Sequence, residues 1–390
     1  MADWWVAREL ASAAIDPGPT QEVAVTQSVG STLAVDVHAL VDLPGFPTAA
    51  MDGWVVAGEG PWEIVGTIDT GVPAARELIP GQAMRIATGG LVPAGGEAVV
   101  PWEIAAVARN RLTAKLPDKA HIRPRGEECS RGDLLARRGD RVNPALAGLI
   151  AAAGLDRVLV FVRPRIAALV LGDEVIVTGL PGDGQVRDAL GVQLPGWIEA
   201  LGGNAISVSA VPDEPDALAN SLRQAVQDAD VVIATGGTAR GHRDFLRGTL
   251  EKLRADVRVD GVAVRPGHPM MLAVVDDTPI IGLPGNPLSA LVALVTLLEP
   301  LLGSWHGRPG SALPSVQMAE AVPASAKDFT RLMVGRRELG GFRQVTHVSS
   351  AMLRGIAHAD GWAIIPSTGV APGEIVPWIP VPWMGRTDRG

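Results

Sequence analysis

The chain has 390 residues, of which 47% are hydrophobic and 19% charged, and its formal net charge is −8. A chain of this length exceeds one ordinary hydrophobic core, so we expect a folded protein of several domains and not a disordered one. The acidic balance argues against a broad nucleic-acid-binding surface, although it leaves room for a local basic site that binds a small anion.

Cysteine content and hydropathy narrow the class of protein further. The single cysteine, Cys129, excludes an intrachain disulfide and a zinc site built from several thiolates. The strongest apolar runs, near residues 147–161 and 278–302, are interrupted by glycine, proline or charge, and the first ten residues lack the pattern of a secretory signal. We therefore expect a soluble cytoplasmic protein that binds neither a membrane nor nucleic acid.

The first half of the sequence predicts a short helix followed by a β-rich region. Residues 1–15 carry apolar side chains at helical spacing, with Trp5, Leu10 and Ala14 among them. From about residue 20 to residue 162 the chain shows short apolar runs separated by proline and glycine. Such runs are typical of a mostly β region with many turns.

After Arg165 the pattern changes to alternating strands and helices. The predicted strands RIAALVL, NAISVSAV, DVVIATGG and TPIIGLPG alternate with the predicted helices LGVQLPGWIEALGG, EPDALANSLRQAVQDA, DFLRGTLEKL and PLSALVALVTLLEPLL. This alternation predicts a parallel, doubly wound α/β sheet from about residue 164 to residue 303. The segment 310–390 is again rich in proline and strand-like, and it predicts a small β-domain.

One glycine-rich loop follows the predicted strand DVVIATGG. In an open α/β sheet, ligands bind beyond the carboxyl ends of the strands, where helix amino termini attract anions. Gly236 and Gly237 would let backbone N–H groups approach a phosphate, because a Cβ atom would obstruct that approach. Just past the loop, Asp244 could hold a divalent cation or a ligand hydroxyl. The alternative interpretation is a tight turn in which Asp244 caps the next helix.

Two further loops at the same expected sheet edge have related chemistry. GLPGNPLSAL, residues 282–291, leads into a helix for which Asn286 is a good cap and Pro287 a suitable first residue. LGDEVIVTGLPGDGQVRD adds Asp173, Glu174 and Asp188. Carboxylates beside phosphate-binding loops indicate a magnesium site, because Mg²⁺ takes oxygen ligands and commonly bridges protein acids to phosphate.

A proline–glycine turn in VAVRPGHPMMLAV carries two potential cations, Arg265 and His268. Cations beside anion-binding loops favour recognition of an oxyanion, and arginine offers a planar, permanently charged fork for that purpose. In the alternative interpretation Arg265 is a solvated loop charge and His268 a turn residue.

Taken together, these motifs resemble those of the molybdopterin molybdenumtransferases, the molybdenum insertases that include bacterial MoeA and the corresponding domain of gephyrin. The resemblance covers nearly the whole chain and follows the order of the family. The matching segments are PGFPTAAMDGWVV, RIATGGLVPAGGEAVVPWE, RPRGEECSRGDLL, GDEV, ATGGTARGHRDF, VRPGHP and GLPGNPLSA. A single glycine loop is a weak signal, whereas this ordered set is specific.

The resemblance implies four domains and a homodimer. The implied domains are a linker domain at residues 1–40 and 121–163, a β-rich domain at 41–120, an α/β molybdopterin-binding domain at 164–305 and a C-terminal β-barrel-like domain at 310–390. In the implied homodimer, the α/β domain of one subunit faces the second domain of the other. The implied reaction inserts molybdate into adenylylated molybdopterin and releases AMP in the presence of a divalent cation, usually Mg²⁺. A molybdopterin adenylyltransferase is the implied donor of this substrate.

The resemblance also implies which residues act at the site. The positions that match catalytic residues are Asp52, Thr88, Asp173, Glu174 and Asp244. Those that match metal ligands are Asp173, Glu174 and Asp244. Those that match residues binding the pterin or molybdate are Gly236, Gly237, Asp213, Arg265, His268, Pro269, Gly285, Asn286, Ser289, Arg331 and Ser350. Without the family, Asp52 is interpreted as a turn residue, Thr88 as a hydroxyl of β-structure and Asp213 as the start of a helix.

The chain departs from the family pattern on the ligand-facing loops. Arg265 and His268 replace two lysines; arginine keeps the charge but not the shape, and histidine is cationic only part of the time near neutral pH. The other departures are Pro47, Thr48, Ala49, Glu128, Ala189, Leu190 and Ala239, with Trp54 in place of a tyrosine.

Two hypotheses follow from the retained and the replaced residues. The first is an active molybdenum insertase with a variant site, and the second is a non-catalytic carrier of molybdopterin or a scaffold. The retained acids Asp52, Asp173, Glu174 and Asp244 favour catalysis, because a carrier has less use for carboxylates beside phosphate loops. The replaced lysines favour binding alone. The motifs of the first half disfavour an unrelated nucleotide enzyme built on a similar sheet.

Overall fold

The structure is a computed structural model that describes residues 1–238, 245–310 and 312–383. The chain divides into two compact units, one formed by residues 1–21 and 161–390 and the other by residues 22–160. The first 21 residues therefore group with the α/β region and not with the rest of the segment 1–40 that we assigned to a linker domain. The finer boundaries of the four domains stay a prediction.

Helices lie mainly in the unit that contains residues 161–390. The α-helices in the described part of the chain are α1 Trp4–Ser12, α2 Pro144–Ala152, α3 Leu190–Leu201, α4 Pro215–Asp228, α5 Phe245–Lys252, α6 Pro287–Ala293 and α7 Glu299–Trp305. The sequence did not predict α2, which begins where the Asn143 side chain accepts a hydrogen bond from the Leu146 N–H at 2.8 Å and Pro144 takes the first turn.

The unit of residues 22–160 is rich in β-structure, as predicted. The strands up to its end are β1 Thr20–Ala24, β2 Val37–His38, β3 Thr48–Ala49, β4 Gly53–Val56, β5 Trp62–Ile68, β6 Gln82–Ile86, β7 Ala98–Pro101, β8 Ala106–Ala108, β9 Arg111–Thr113, β10 Ile122–Arg123, β11 Leu134–Ala136 and β12 Arg157–Phe161. Its main sheet has the order β7-β4-β6-β5-β9-β8. Alternate residues of β4 pack into separate clusters on its two faces, with Val55 on one and Val56 on the other.

The α/β domain is built on a second six-stranded sheet. Its strands and the short pairs beside it are β13 Arg165–Leu171, β14 Val175–Ile176, β15 Val186–Arg187, β16 Asn204–Val211, β17 Val231–Thr235, β18 Asp256–Asp260, β19 Val264–Arg265, β20 Met271–Val275 and β21 Thr278–Leu283. The sheet order is β16-β13-β17-β21-β20-β18, and the first four strands are parallel. The predicted doubly wound α/β domain is confirmed.

One edge of this sheet is antiparallel, so the expectation of a wholly parallel sheet is wrong there. Strands β20 and β21 form a hairpin, as do β18 and β20 across a longer connection. Asp276 and Asp277, between β20 and β21, have φ of 47° and 65°. Two consecutive residues with positive φ make the tight hairpin turn that joins antiparallel strands, whereas a parallel strand needs a crossover connection.

Helices cover both faces of the sheet and bury the central strands β13, β17 and β21, whereas most residues of the edge strand β16 are exposed. Helices α3, α6 and α7 pack on one face and α4 and α5 on the other. Between α6 and α7 the backbone makes one π-helical turn, Leu294–Leu298. This turn lies just before Pro300, which has no N–H to donate to the Thr296 carbonyl four residues earlier. The stretch Pro287–Trp305 has a mean hydropathy of 1.7 and is long and apolar enough to span a membrane. However, 89% of it is buried inside the protein, so it is a core helix.

Helix α1 packs against this core helix. Trp4 is fully buried, and its indole N–H donates a hydrogen bond to the Thr296 hydroxyl at 2.9 Å. The Arg8 guanidinium forms an ion pair with Glu299. These contacts explain why the first residues group with the α/β domain.

The C-terminal region forms a β-domain, as predicted. Its strands are β22 Ser315–Gln317, β23 Thr330–Glu338, β24 Gly341–Gln344, β25 Gly361–Ile365 and β26 Ile375–Pro380. Strand β19 of the α/β region joins this sheet by pairing in parallel with β23, which places Arg265 opposite Arg331. The RPGHP turn is therefore held between the two domains of this unit.

Candidate functional site

A cavity of about 890 Å³ lies beyond the carboxyl ends of β13, β17 and β21. Three loops that the sequence identified line it: residues 171, 172 and 174 of the first, without Asp173, residues 235–237 of the second and residues 285–287 of the third. These strands are neighbours in the sheet, which is why loops far apart in sequence meet here. We call this space the glycine-loop cavity.

The backbone of the glycine loops leaves some N–H groups open and uses others. Gly236 and Gly237 have φ of 83° and 64°, a conformation that favours glycine. The Gly236 N–H donates to the Leu283 carbonyl at 2.8 Å, so it does not serve an anion as we expected. The N–H groups of Gly237, Gly285 and Asn286 have no hydrogen-bond partner among the described residues. These three groups form the part of the loops that is open to an anion.

Carboxylates also line the glycine-loop cavity: those of Glu174, Asp188 and Asp213. Asp188 accepts a hydrogen bond from the Gly191 N–H at 2.8 Å and so caps the start of α3. Asp173 lies beside Asp213, because its carboxylate accepts a hydrogen bond from the Asp213 N–H at 3.1 Å. The structure thus brings together the acids predicted around this loop, with Asp173 bound to a neighbouring backbone.

The metal ligands predicted from the sequence are only partly described. Asp244 and Ala239 lie outside the described residues. Of the three predicted metal ligands, the structure therefore describes only Asp173 and Glu174. Within the described ranges, no group of three or more histidine, cysteine, aspartate or glutamate side chains has the arrangement of a metal site. The magnesium site stays a prediction, one that needs further oxygen ligands from outside this set.

A second cavity, of about 640 Å³, is lined by cationic side chains. We call it the cation cavity. Among the described residues, its charged or titratable lining residues are Arg265, His268, Lys327 and Arg331, with no aspartate or glutamate. The Arg265 guanidinium lies over the Phe329 ring at 5.4 Å from its centroid, which orients the side chain. The lining therefore has the charge expected of an oxyanion-binding site.

The RPGHP turn lies close against the first turn of α6. Gly267 has φ of 102°, and a Cβ atom at this position would lie 2.9 Å from the Ser289 carbonyl oxygen. Only glycine permits this approach. Pro269 and Ser289 line the cation cavity as well, so the structure brings them together with Arg265 and His268.

The amino terminus of α6 is satisfied differently from our expectation. Asn286 occupies the capping position, but its side chain makes no capping hydrogen bond. Instead, the Ser350 carbonyl of the C-terminal domain accepts hydrogen bonds from the N–H groups of Leu288 and Ser289, at 2.9 and 3.2 Å. The first turn of α6 is thus occupied by backbone and is not an open anion site.

The two cavities adjoin at Asn286, which lines both. Ser350 lines the cation cavity and the next residue, Ala351, lines the glycine-loop cavity. A ligand with a phosphate group and a neighbouring oxyanion would therefore find a binding region for each, side by side.

Asp52 and Thr88 belong to the other compact unit, that of residues 22–160. They contact each other: the Thr88 N–H and the Thr88 hydroxyl donate to the same Asp52 carboxylate oxygen, at 2.6 and 2.8 Å. These bonds, the backbone bond first, hold the pKa of Asp52 below its ordinary value. The structure thus joins two residues that the sequence had assigned separately, each from its own motif.

Trp54 lies beside a second aromatic side chain. Its ring is 5.3 Å from that of Trp102, and the Arg85 guanidinium stacks on Trp102 at 4.5 Å. Arg85 is also the cross-strand neighbour of Trp54. The tryptophan in place of the family's tyrosine is therefore packed into a small cluster on the sheet.

Sequence reasoning missed Lys327 and Phe329, both of which line the cation cavity. The available signal was their closeness in sequence to Arg331, in a short stretch, KDFTR, that carries one of the few lysines of this arginine-rich chain. Only the pairing of β19 with β23 brings that stretch to the RPGHP turn.

Two family models match the chain. The MoeA N-terminal region, domains I and II, matches residues 5–154, and a probable molybdopterin-binding domain matches residues 167–304. The first region contains the Asp52–Thr88 pair, and the second contains motifs that line the two cavities.

Curated relatives and solved structures agree with these family models. The molybdopterin molybdenumtransferase of a Nostoc species is 31% identical over 305 residues, covering 74% of this chain and 70% of the relative. Molybdopterin molybdenumtransferase 2 of Mycobacterium tuberculosis is 30% identical over 365 residues, covering 88% and 90%. A crystal structure of the MoeA protein of molybdopterin biosynthesis from Pyrococcus horikoshii has a TM-score of 0.77 and 26% identity, and covers 98% of this chain and 99% of its own.

Proposed function

This chain belongs to the molybdopterin molybdenumtransferase family, and on that premise we propose that it inserts molybdate into adenylylated molybdopterin and releases AMP. The observation that carries the proposal is the adjacency of two cavities of different chemistry that share Asn286. The cation cavity suits the oxyanion, and the glycine-loop cavity suits the phosphate groups of the pterin nucleotide.

In the cation cavity, Arg265 and Arg331 would neutralise the molybdate dianion. Both side chains carry a permanent charge, and no ion pair with a described acid neutralises either of them. A planar guanidinium can donate two parallel hydrogen bonds to an oxyanion. These residues would hold the oxyanion beside the bound pterin, so that the oxyanion and the pterin are positioned to react.

In the glycine-loop cavity, the open N–H groups of Gly237, Gly285 and Asn286 would donate to phosphate oxygens. The carboxylates of Glu174 and Asp213 in the same cavity would repel a phosphate unless a cation lies between them. Oxygen donors of this kind fit Mg²⁺, which is commonly held by one or two carboxylates together with substrate phosphates. Mg²⁺, when bound, would neutralise the charge of the phosphates.

The proposal includes a homodimer whose site is shared between subunits, as the family resemblance implies. In that arrangement Asp52 and Thr88 of one subunit would serve the cavities of the other. Complementation tests it: an Asp52→Ala preparation and an Arg265→Ala preparation, assayed at a molybdate concentration at which each is inactive alone, should recover activity when mixed and allowed to exchange subunits. Failure to recover activity, although co-purification through a different affinity tag on each variant shows that mixed dimers have formed, would exclude a shared site.

The cellular setting is part of the same proposal. We place the protein in the cytoplasm and expect a molybdopterin adenylyltransferase to supply its substrate. Cys129, the single cysteine, is buried and free, which fits a reducing compartment.

A second candidate function, a non-catalytic carrier of molybdopterin, is favoured by one observation. Arg265 and His268, which line the cation cavity, replace two lysines of the family pattern. The two functions differ in product: a transferase yields a pterin that contains molybdenum, whereas a carrier returns the pterin unchanged. Metal analysis of the pterin, separated from the protein after incubation with adenylylated molybdopterin, Mg²⁺ and molybdate, distinguishes them.

A further inference from the structure

Lys327 is distant from the RPGHP turn in the sequence but lines the same cavity. It comes from the segment that leads into β23 of the C-terminal domain, four residues before Arg331. The chain contains only four lysines, at positions 115, 119, 252 and 327, so a lysine here is unusual for its composition.

The charge of Lys327 is not neutralised by its surroundings. Lys327 is exposed and makes no ion pair with any acid that the structure describes. The neighbouring acid, Asp328, accepts a hydrogen bond from the Ser367 hydroxyl at 2.6 Å and does not line the cavity. The Phe329 N–H donates to the Lys327 carbonyl at 2.7 Å, which fixes the backbone turn from which the side chain extends.

The described lining of the cation cavity therefore contains three cationic side chains, those of Arg265, Arg331 and Lys327, and no carboxylate. His268 adds a further charge only when it is protonated. A tetrahedral dianion has four oxygens and can therefore accept hydrogen bonds from more than two cationic groups. Arg265 and Arg331 are paired on neighbouring strands, and Lys327 adds an ammonium on a flexible stem, which can contact the anion as a point charge.

We propose that Lys327 contacts the oxyanion directly and supplies part of the affinity of this cavity for tetrahedral dianions such as molybdate. The inference rests on the proposed function and adds to it an anion-binding residue from the C-terminal domain. Because Lys327 is exposed, its contribution should lie at the low end for a charged hydrogen bond, roughly a five- to tenfold change in the dissociation constant.

Binding of molybdate alone to the full-length protein, measured by isothermal titration calorimetry, tests the proposal. Lys327→Ala and Lys327→Gln should weaken binding by roughly five- to tenfold, and Lys327→Arg should keep most of it because it keeps the charge. Lys252→Ala, which removes an exposed lysine from the last turn of α5, should bind as the wild-type protein does. Unchanged thermal unfolding of each variant establishes that its fold is intact.

Inorganic phosphate as a second probe separates this inference from the proposed function. If the wild-type protein binds molybdate and Lys327→Ala binds it equally well, the role of Lys327 is overturned while the proposed function stands. If the wild-type protein binds phosphate but not molybdate, and Lys327→Ala weakens phosphate binding, Lys327 is an anion contact and the proposed function fails. If neither anion binds to the wild-type protein, both are overturned.

Discussion

Thr88 donates two hydrogen bonds to one carboxylate oxygen of Asp52, from its backbone N–H at 2.6 Å and from its hydroxyl at 2.8 Å. The bonds join the MDG segment to the ATGG loop, two motifs 36 residues apart in the chain. Both bonds stabilise the ionised carboxylate, so they lower the pKa of Asp52. The pair keeps Asp52 charged and fixes its direction.

The hydrogen bonds from Thr88 to Asp52 predict that the stability of the fold depends on pH. A carboxylate whose pKa is lowered by folding stabilises the fold fully above its pKa in the unfolded chain, about 3.9, and loses that effect as the pH falls through the lower folded value. Thr88→Val removes the hydroxyl bond but keeps the backbone bond. We expect it to raise the pKa of Asp52 part of the way to its ordinary value, which a carbon-13 NMR titration of the side chain would measure.

The matched control is Thr67→Val, which changes an exposed threonine on β5 of the same sheet. It should leave the Asp52 titration as in the wild-type protein. An Asp52 pKa that does not move in Thr88→Val would show that the hydroxyl bond contributes nothing to the ionised state.

Gly267→Ala should damage the cation cavity. The residue has a positive φ of 102°, and its new Cβ atom would meet the Ser289 carbonyl at 2.9 Å. A left-handed conformation costs an alanine about 1–2 kcal/mol, and the close contact forces the turn to move away from α6. We expect a lower free energy of unfolding in urea together with weaker molybdate binding.

Gly248→Ala is the matched control for that substitution. Gly248 lies inside α5, and nothing within 4 Å would meet a Cβ atom there. Because alanine is favoured over glycine within a helix, this variant should be more stable by roughly 0.5–1 kcal/mol and should bind molybdate normally. Equal stability of the two variants would contradict the account of Gly267.

Trp4→Phe should destabilise the α/β domain. The change removes the indole N–H that donates to Thr296 inside the core and leaves unfilled volume beside the π-helical turn. We expect a loss of about 1–3 kcal/mol in the free energy of unfolding. Trp5→Phe, at a neighbouring side chain that is 44% exposed, should change it by less than about 0.5 kcal/mol. Equal losses would show that α1 is not anchored through Trp4.

Glu174→Gln should raise the Mg²⁺ concentration needed for half-maximal AMP release. Glu174 is one of the carboxylates of the glycine-loop cavity, and the amide that replaces it is a poorer ligand for a hard cation. A magnesium titration of the reaction measures the effect, and Glu59→Gln, an exposed position of the other unit, serves as the control. A magnesium dependence identical in both variants would remove Glu174 from the metal site.

Local sequence patterns predicted most of the α/β domain. The segment NAISVSAV coincides with β16, and EPDALANSLRQAVQDA contains α4 with one further residue at each end. The buried strands β13, β17 and β21 are apolar runs bounded by loops, and the helices have one apolar face, so local hydrophobic patterns predict both. Strands β18 and β20 were missed as an antiparallel edge, because strand direction depends on the turn geometry of Asp276 and Asp277.

Most residue types at the site could be predicted from the sequence, but some lining residues and hydrogen-bond partners could not. The glycine loops, the acids around them and the Arg265 turn were found because parallel strands bring their carboxyl ends to one edge. The Ser350 carbonyl at the start of α6 and the Lys327 side chain come from a domain distant in sequence. No local pattern signals a backbone hydrogen bond across such a distance, and for that reason Asn286 was interpreted as the cap.

Release of AMP from adenylylated molybdopterin by the purified protein tests the central claim most directly. The reaction should be run with Mg²⁺, with and without molybdate, for the wild-type protein, Arg265→Gln and Asp244→Ala, the last at a position known from the sequence alone. We predict molybdate-dependent AMP release in the wild-type protein, a higher molybdate requirement in Arg265→Gln and no release in Asp244→Ala. Binding of the pterin nucleotide without any AMP release by the wild-type protein would contradict the transferase and leave a carrier.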